Sequence, residues 1–360
     1  MAELQELLQY LMEVRGSDLY VKVGSPPHVR VDGRLGPTPF PPVDPDQTHA
    51  LAEHVVPRHR VSHLESTGEL DFALSVSGVG RFRVHVYRQR GSLALVFRRV
   101  MQGIPSWEQL GLPASVERLT DTSRGLVLIT GPAGCGKTTT MNALVDHINE
   151  HRAANIITIE DPVEFLHADK QSIISQREVG TDTFRTSEAV RRALRQGPDV
   201  LVVSDLEDLA TLEAVLAAAT TGVLALVTLP TTSAADTITW LVDFYPPHQQ
   251  KQARHLLASA LRAIVSQRLL ERADGRGRIA AVEVLVNTSK VYDCIVEPER
   301  ATALERIIAE GEYHGMQTFD QALFALYKDG LVSLRDALAV ASQPEDLRIA
   351  LQQAGLSPAF

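Results

Sequence analysis

The sequence holds only two cysteines in 360 residues, Cys135 and Cys294. Two thiols so far apart build neither a disulfide framework nor a four-cysteine zinc site. Their scarcity fits a reducing, cytosolic compartment. Long apolar runs are missing too. The longest, 214–229, is broken at Thr220, Thr221 and Gly222. It falls short of the ~18 uninterrupted apolar residues of a membrane span and reads as a buried helix, a glycine stop and a buried strand. Positive charge is in short supply, with 35 Lys and Arg against 44 Asp and Glu and a net charge of -9. That argues against a broad nucleic-acid surface, so no nucleic acid is expected as a partner. The acidic, amphipathic residues 1–6 do not read as a signal peptide. What is present, 44% hydrophobic and 22% charged residues, is ordinary for a soluble globular protein, and the length favours two or three domains.

Along the chain, Leu4, Leu7, Leu8, Leu11 and Met12 recur at helical spacing. Strands are predicted at 19–23 and 28–31, with Asp32-Gly33 as a hairpin signal. Five prolines in 37–45 mark an irregular connection. A helix is predicted over 48–64 and strands over 71–76, 81–87 and 93–98. The first hundred residues thus read as an α+β unit with an antiparallel sheet. Gly103, Pro105, Gly111 and Pro113 make 101–113 a linker. Beyond it, strands at 126–130, 156–160, 200–204 and 223–229 alternate with helices at 138–151, 186–196 and 208–220. That is the rhythm of an α/β fold, a mainly parallel sheet with helices on both faces. Residues 249–270 read as one long helix, 279–286 as a strand, and the region after 300 as short helices.

One stretch carries a specific motif. Gly131-Pro-Ala-Gly-Cys-Gly-Lys-Thr138 fits the phosphate-binding pattern G-x-x-x-x-G-K-[ST] without a gap. An apolar strand precedes it. Met141, Leu144, Val145 and Ile148 follow at helical spacing. Strand, glycine turn and helix are the context the motif requires. Gly131, Gly134 and Gly136 let backbone N–H groups converge on phosphate oxygens, with Pro132, Ala133 and Cys135 as spacers. The helix start, from Thr138 and Thr139 onward, adds partial positive charge. Lys137 is expected on the terminal phosphates and the Thr138 hydroxyl on magnesium.

Two acidic stretches follow. Glu160, Asp161 and Glu164 lie just past a predicted parallel strand, where a doubly wound sheet gathers its ligands. They would hold magnesium or orient water; Glu160 and Asp161 would equally serve to end the strand and solvate a turn. Asp205 ends the apolar run 200–203. A carboxylate there reaches magnesium or polarises water in phosphate-loop ATPases; it would also do as a cap for the helix from 208. Arg81 and Arg83 share a strand face and Arg98 lies on the next strand. They read either as solvated surface or as cations reaching a nucleotide. Cys135, at a helix start, is either an activated thiol open to oxidants or a filler of a small-residue position.

Together these residues resemble the secretion ATPase superfamily (GspE/PulE type), and within it the type IV pilus retraction ATPases (PilT-like). The carriers are the glycine-rich loop, Thr158-Ile-Glu-Asp-Pro-Val-Glu-Phe165 and Gln176-Arg-Glu-Val-Gly180. Gly80-Arg-Phe-Arg-Val84, Ile264-Val-Ser-Gln-Arg-Leu269 and Gly315-Met-Gln-Thr-Phe-Asp320 add to them. The four-cysteine zinc motif of the assembly ATPases is missing. The resemblance implies a PAS-like domain at 1–100, a RecA-like P-loop ATPase domain at 114–290 and a helical subdomain at 291–360. It implies ATP and Mg2+ as cofactors, bound between the first two domains, with Arg81, Arg83 and Arg98 helping to complete the site. It implies a homo-hexameric ring, cytoplasmic and peripheral at the inner membrane. The ring would drive a membrane platform protein and could include a second pilus ATPase paralogue.

Three departures from the family pattern stand out. Ser204-Asp205 replaces Gly-Glu, whose glutamate is the family's catalytic acid, and Pro230 replaces a histidine. Lys290-Val-Tyr-Asp-Cys-Ile295 replaces Ala-Ile-Arg-Asn-Leu-Ile. Two functions follow. One is a slow ATPase with Asp205, Glu160 and Glu164 as candidate catalytic acids and Thr138, Asp205 and Glu160 at the metal. The other is a nucleotide-binding structural or regulatory subunit without useful turnover.

Overall fold

The computed structural model describes residues 2–31, 33–100 and 103–356. They form two compact units. The first is the N-terminal hundred residues with Pro162–Leu166; the second is Gly103–Asp161 with the chain from His167 onward.

In the first unit, helix α1 (Ala2–Glu13) is followed by strands β1 (Asp18–Val21), β2 (His28–Val31) and β3 (Arg34–Pro37). Then come helices α2 (Pro45–Val55) and α3 (Val61–Thr67) and strands β4 (Glu69–Val76), β5 (Gly80–Gln89) and β6 (Ser92–Arg99). The sheet order is β3-β2-β1-β6-β5-β4, antiparallel throughout. Strand alternation sends Leu19, Phe82, Val84, Val86, Leu95 and Phe97 to one face, where Leu8, Leu11, Leu51 and Val55 cover them. Asp32, of the expected Asp-Gly turn, lies outside the described residues; β2 and β3 pair as a hairpin around it. The helix expected over 48–64 is two helices. Pro57 cannot sit inside a helix, and Val56 before it is extended at ψ 124°.

The second unit opens with short helices α4 (Trp107–Leu110) and α5 (Ala114–Glu117). The alternating region follows: β7 (Gly125–Thr130), α6 (Lys137–His151), β8 (Asn155–Glu160), β9 (Ile173–Glu178), α7 (Thr186–Ala193), β10 (Val200–Val203), α8 (Leu209–Thr220), β11 (Leu224–Leu229), α9 (Ala234–Asp243) and α10 (Gln250–Ala260). Strands β12 (Leu261–Glu271) and β13 (Arg278–Val286) close the sheet. Helices α11 (Ser289–Val296), α12 (Leu304–Ala309), α13 (Phe319–Lys328), α14 (Leu334–Val340) and α15 (Pro344–Gln353) finish the chain.

The sheet order is β13-β12-β7-β11-β10-β8-β9, and only β13 is antiparallel to its neighbour. Alternation splits the core in two. Leu126 and Leu128 pack with Val215, Leu216 and Leu257 on one face; Val127 and Ile129 pack with Met141, Leu144 and Ile148 on the other. Helices therefore cover both faces. Two expectations need correction. Residues 249–270 are not one helix: α10 ends at Ala260 and the chain runs straight into β12. Ala263, Ile264, Val265 and Ser266 are buried on both sides, so no period-2 signal marks this central strand. The parallel edge strand β9 was not expected at all.

Candidate nucleotide site

The loop after β7 builds the site through its backbone. Gly134 (φ 77°) and Gly136 (φ 93°) occupy the left-handed region, and a Cβ on either would meet nothing within 4 Å. Their freedom is used for chain direction, and the space beside them is open. Gly131 is different. A Cβ there would stand 2.5 Å from Cys135 Sγ and 2.6 Å from the Gln267 carbonyl oxygen. Helix α6 then begins at an αL Gly136 without a side-chain cap, leaving its first N–H groups for an anion. Lys137 Nζ donates to the Gly131 and Pro132 carbonyls at 2.8 and 3.1 Å. Thr138 and Thr139 are half-buried in the first turn. Cys135 is not an activated thiol: burial pushes its pKa up against the opposing charge of Lys137. The small-residue reading is the one its surroundings support.

The parallel register aligns the strand ends. Thr130 pairs with Leu229, Val227 with Val203, Val203 with Ile159, and Glu160 with Glu178. The loop, Pro230 and Asp205 therefore follow, and Glu160 ends, strands that finish along one edge of the sheet, where doubly wound folds bind ligands. Sideways bonds tie that edge together. Gly131 N–H donates to the Leu229 carbonyl at 3.2 Å. Asp205 N–H donates to Thr228 Oγ1 at 3.0 Å, and that hydroxyl lies 3.3 Å from Asp205 Oδ1. Asp161 N–H donates to Ser204 Oγ at 2.9 Å. Ser204, where the family pattern has glycine, thus joins the strand ends of β10 and β8.

Asp205 is exposed and left-handed at φ 52°. It does not cap α8; Asp208 does, accepting from Thr211 N–H at 2.6 Å. Glu160 does not solvate a turn. It is 4% exposed, and its Oε1 accepts from Thr158 Oγ1 at 2.6 Å and Gln176 Nε2 at 3.1 Å. Glu164 is not gathered with Asp205 and Glu160 in the second unit. It belongs to the first unit, where its charge acts on Arg98. Pro230 is exposed and offers neither a ring nitrogen nor an N–H. The altered motif at 290–295 lies in α11, with Val291, Cys294 and Ile295 buried in the core.

The arginines form part of a ladder across the first unit's sheet. Arg30, Asp18, Arg98 and Arg83 are direct cross-strand neighbours. Buried Asp18 accepts from Arg98 Nε at 2.8 Å and stands 3.8 Å from Arg30 Nε. The hydrogen bond and charge of Asp18 raise Arg98's pKa further. Arg83 lies 3.8 Å from Asp71. Arg81 is half-buried two positions along the same face. Sequence reasoning missed Asn142, His167 and Thr228. The two buried asparagines on α6, Asn142 and Asn149, were the available signal, since asparagine is costly to bury without partners.

A strand, glycine loop and uncapped helix on a parallel sheet, with acids on the same edge, define a P-loop nucleotide-binding protein with a RecA-like core. The chain belongs to the family described as Type II/IV secretion system protein, whose profile matches residues 106–337. It is PilT-like within that family. It is 39% identical to the type IV pilus retraction ATPase PilT of Pseudomonas aeruginosa, over 96% of this chain and 99% of that one. It is 37% identical to the type IV pilus ATPase PilU of the same organism, over 97% of this chain and 91% of that one. A crystal structure of the pilus retraction motor PilT with bound ADP is similar at TM-score 0.88 and 41% identity, covering 96% of this chain and 98% of the other.

Among the described residues no three His, Cys, Asp or Glu side chains converge as a ready metal cage.

Proposed function

We propose that the chain is an ATP-hydrolysing motor subunit of type IV pilus retraction, with turnover slowed by the short acid Asp205. What supports the reading is the phosphate loop and two carboxylates on one sheet edge, together with near full-length likeness to relatives named for pilus retraction. Backbone N–H groups of 131–139 and the Lys137 ammonium bind the phosphates. Magnesium, when bound, neutralises charge developing on the phosphate oxygens. The Thr138 hydroxyl and the Asp205 carboxylate would hold it. Asp205 also orients the attacking water, and Glu160, held in place by Thr158 and Gln176, takes up its proton. Arg81, Arg83 and Arg98 are candidates to supply positive charge to the nucleotide. Glu164 remains a candidate acid; its charge also adds, after that of Asp18, to the field that raises the Arg98 pKa.

The chain would work as a homo-hexamer, alone or with a PilU-like paralogue, on the cytoplasmic side of the inner membrane against a platform protein. Among the described residues no helix is long and apolar enough to cross a membrane. The domain assignment that goes with this reading is a PAS-like domain at 1–100, a linker at 101–113, the ATPase domain at 114–290 and a helical subdomain at 291–360. The test is steady-state phosphate release by the purified protein and by Lys137→Ala. Release that drops in the variant is expected; equal release from both refutes hydrolysis at this loop. Tight nucleotide binding without release would identify a hydrolysis-deficient subunit instead.

A further inference from the structure

Behind the glycine loop runs a chain of hydrogen bonds of which the steps above use only the last link, Gln176 to Glu160. Asn142, on α6, is 4% exposed. Its Nδ2 donates to the Thr138 carbonyl at 2.8 Å, so its Oδ1 is left to accept. His167 Nε2 lies 2.7 Å from that oxygen. An amide oxygen cannot donate, so His167 carries its proton on Nε2 and a lone pair on Nδ1. Nδ1 is buried with no hydrogen-bond partner among the described residues, and Asp146 Oδ1 stands off at 3.9 Å. Burial favours the neutral ring and pushes its pKa down to about 4.

The chain continues from the same residue. The His167 backbone N–H donates to Gln176 Oε1 at 2.9 Å. That turns Gln176 Nε2 toward Glu160, where it donates to Oε1 at 3.1 Å. The Thr138 carbonyl orients the Asn142 amide and so the His167 ring proton, while the His167 backbone N–H separately orients the Gln176 amide. Through the His167 ring and backbone, the run connects the main-chain carbonyl of Thr138 to the buried acid on β8.

Docking of the loop that carries His167 does not require this link. Asn149 Nδ2 donates to the Ala168 carbonyl at 2.8 Å, and Asn149 Oδ1 accepts from Lys170 N–H at 3.0 Å. Lys170 Nζ bonds Asp146 at 2.8 Å and Glu150 at 2.7 Å. What His167 adds is the connection to Thr138.

We propose that Asn142, His167 and Gln176 are positioning residues that hold Thr138 and Glu160 in one fixed relation across the nucleotide site. The consequence for turnover rests on the hydrolytic reading above; the consequence for metal-dependent binding does not. Two variants separate donor from volume. His167→Leu removes the Nε2 donor, and His167→Gln returns an N–H at similar reach. The measurements are phosphate release and the affinity for a fluorescent non-hydrolysable ATP analogue with and without Mg2+. In His167→Leu, metal-free affinity should stay within about twofold, while turnover and the gain in affinity from Mg2+ each fall about tenfold, as for other outer-shell partners. His167→Gln should recover most of both. Full Mg2+ gain in His167→Leu overturns the proposal, and so does equal impairment of both variants. Should His167→Leu not fold, Gln176→Met breaks the run at its other end and must show the same loss of Mg2+ gain. A wild-type protein that releases no phosphate defeats the hydrolytic reading alone, because the Mg2+ gain still decides the tie.

Discussion

Asp205 sits at φ 52°, a backbone state that glycine adopts freely. An L-residue there costs roughly 1–2 kcal/mol, with aspartate at the low end because its side chain bonds locally. In Asp205 the carboxylate Oδ1 instead accepts from the Thr228 hydroxyl on the neighbouring strand β11, at 3.3 Å. Asp205→Ala and Asp205→Gly both remove the carboxylate, so turnover should fall alike, by at least about 100-fold if the acid acts on water. Their stabilities should differ. Alanine keeps the full left-handed cost, whereas glycine escapes it and loses only about 0.5–1 kcal/mol of chain entropy. The glycine variant should be the more stable by about 1 kcal/mol, or about 1–2 °C in melting temperature for a chain of this size. Asp205→Glu extends the carboxylate by about 1 Å, and a misplacement of that size is worth about a hundredfold in rate. Paired phosphate-release and thermal-melt measurements on the four proteins test all of this. Wild-type turnover in both truncations would remove Asp205 from the chemistry and leave Glu160 as the acid. Equal melting of the alanine and glycine variants would show that the backbone at 205 is unstrained.

Two further predictions concern the same unit. Gly131→Ala should abolish nucleotide binding measured by fluorescent-analogue titration, because its Cβ meets Cys135 Sγ and the Gln267 carbonyl; adding Cys135→Ala should not restore it, since the backbone carbonyl stays, and restored binding would refute the steric account. Stability should also fall with pH below about 6.5, because His167 titrates near 4 when folded and near its usual value when unfolded. Unfolding then takes up a proton in that window, at a slope approaching 1.4 kcal/mol per pH unit and totalling about 3 kcal/mol. Urea unfolding of wild type and of His167→Gln across pH 4.5–7 isolates this contribution as the difference in slope, and parallel curves would refute it.

The nucleotide loop was legible because its chemistry is local. Glycines, lysine and threonine stand at fixed offsets between an apolar strand and an amphipathic helix, and every part of that signal lies within 126–148. The 249–270 region was not legible for the opposite reason. Leu257, Ala258 and Ala260 are buried on α10, and Leu261, Ala263, Ile264 and Val265 are buried on β12. A strand covered on both faces shows no alternation, and no glycine or proline marks the join. Only the partners of β12, β7 on one side and β13 on the other, decide its state. Strand β9 escaped notice because its pairing with β8 is long-range and its exposed edge residues, such as Ile173, give little pattern.

The acids show a subtler limit. Sequence placed Glu160, Asp161 and Glu164 together as one group past a strand, but neighbours in sequence were sorted into different surroundings. Glu160 turned inward, where it accepts from Thr158 and Gln176; Glu164 went to the first unit. The substitutions at 204 and 205 acquire a reason only at this level. Ser204 uses its hydroxyl to accept the Asp161 N–H, a bond that the family's glycine has no side chain to make. Asp205 keeps its carboxylate 3.3 Å from the Thr228 hydroxyl on the neighbouring strand, which ties the ends of β10 and β11. The pair therefore reads as a rigidified version of the family's Gly-Glu, in which reach has been exchanged for fixation of the strand ends. On that reading Ser204→Gly combined with Asp205→Glu should raise turnover more than Asp205→Glu alone, because freeing Asp161 lets the longer acid settle. Phosphate release from the two variants decides it, and a double variant no faster than the single one would leave Ser204 without a part in the rate.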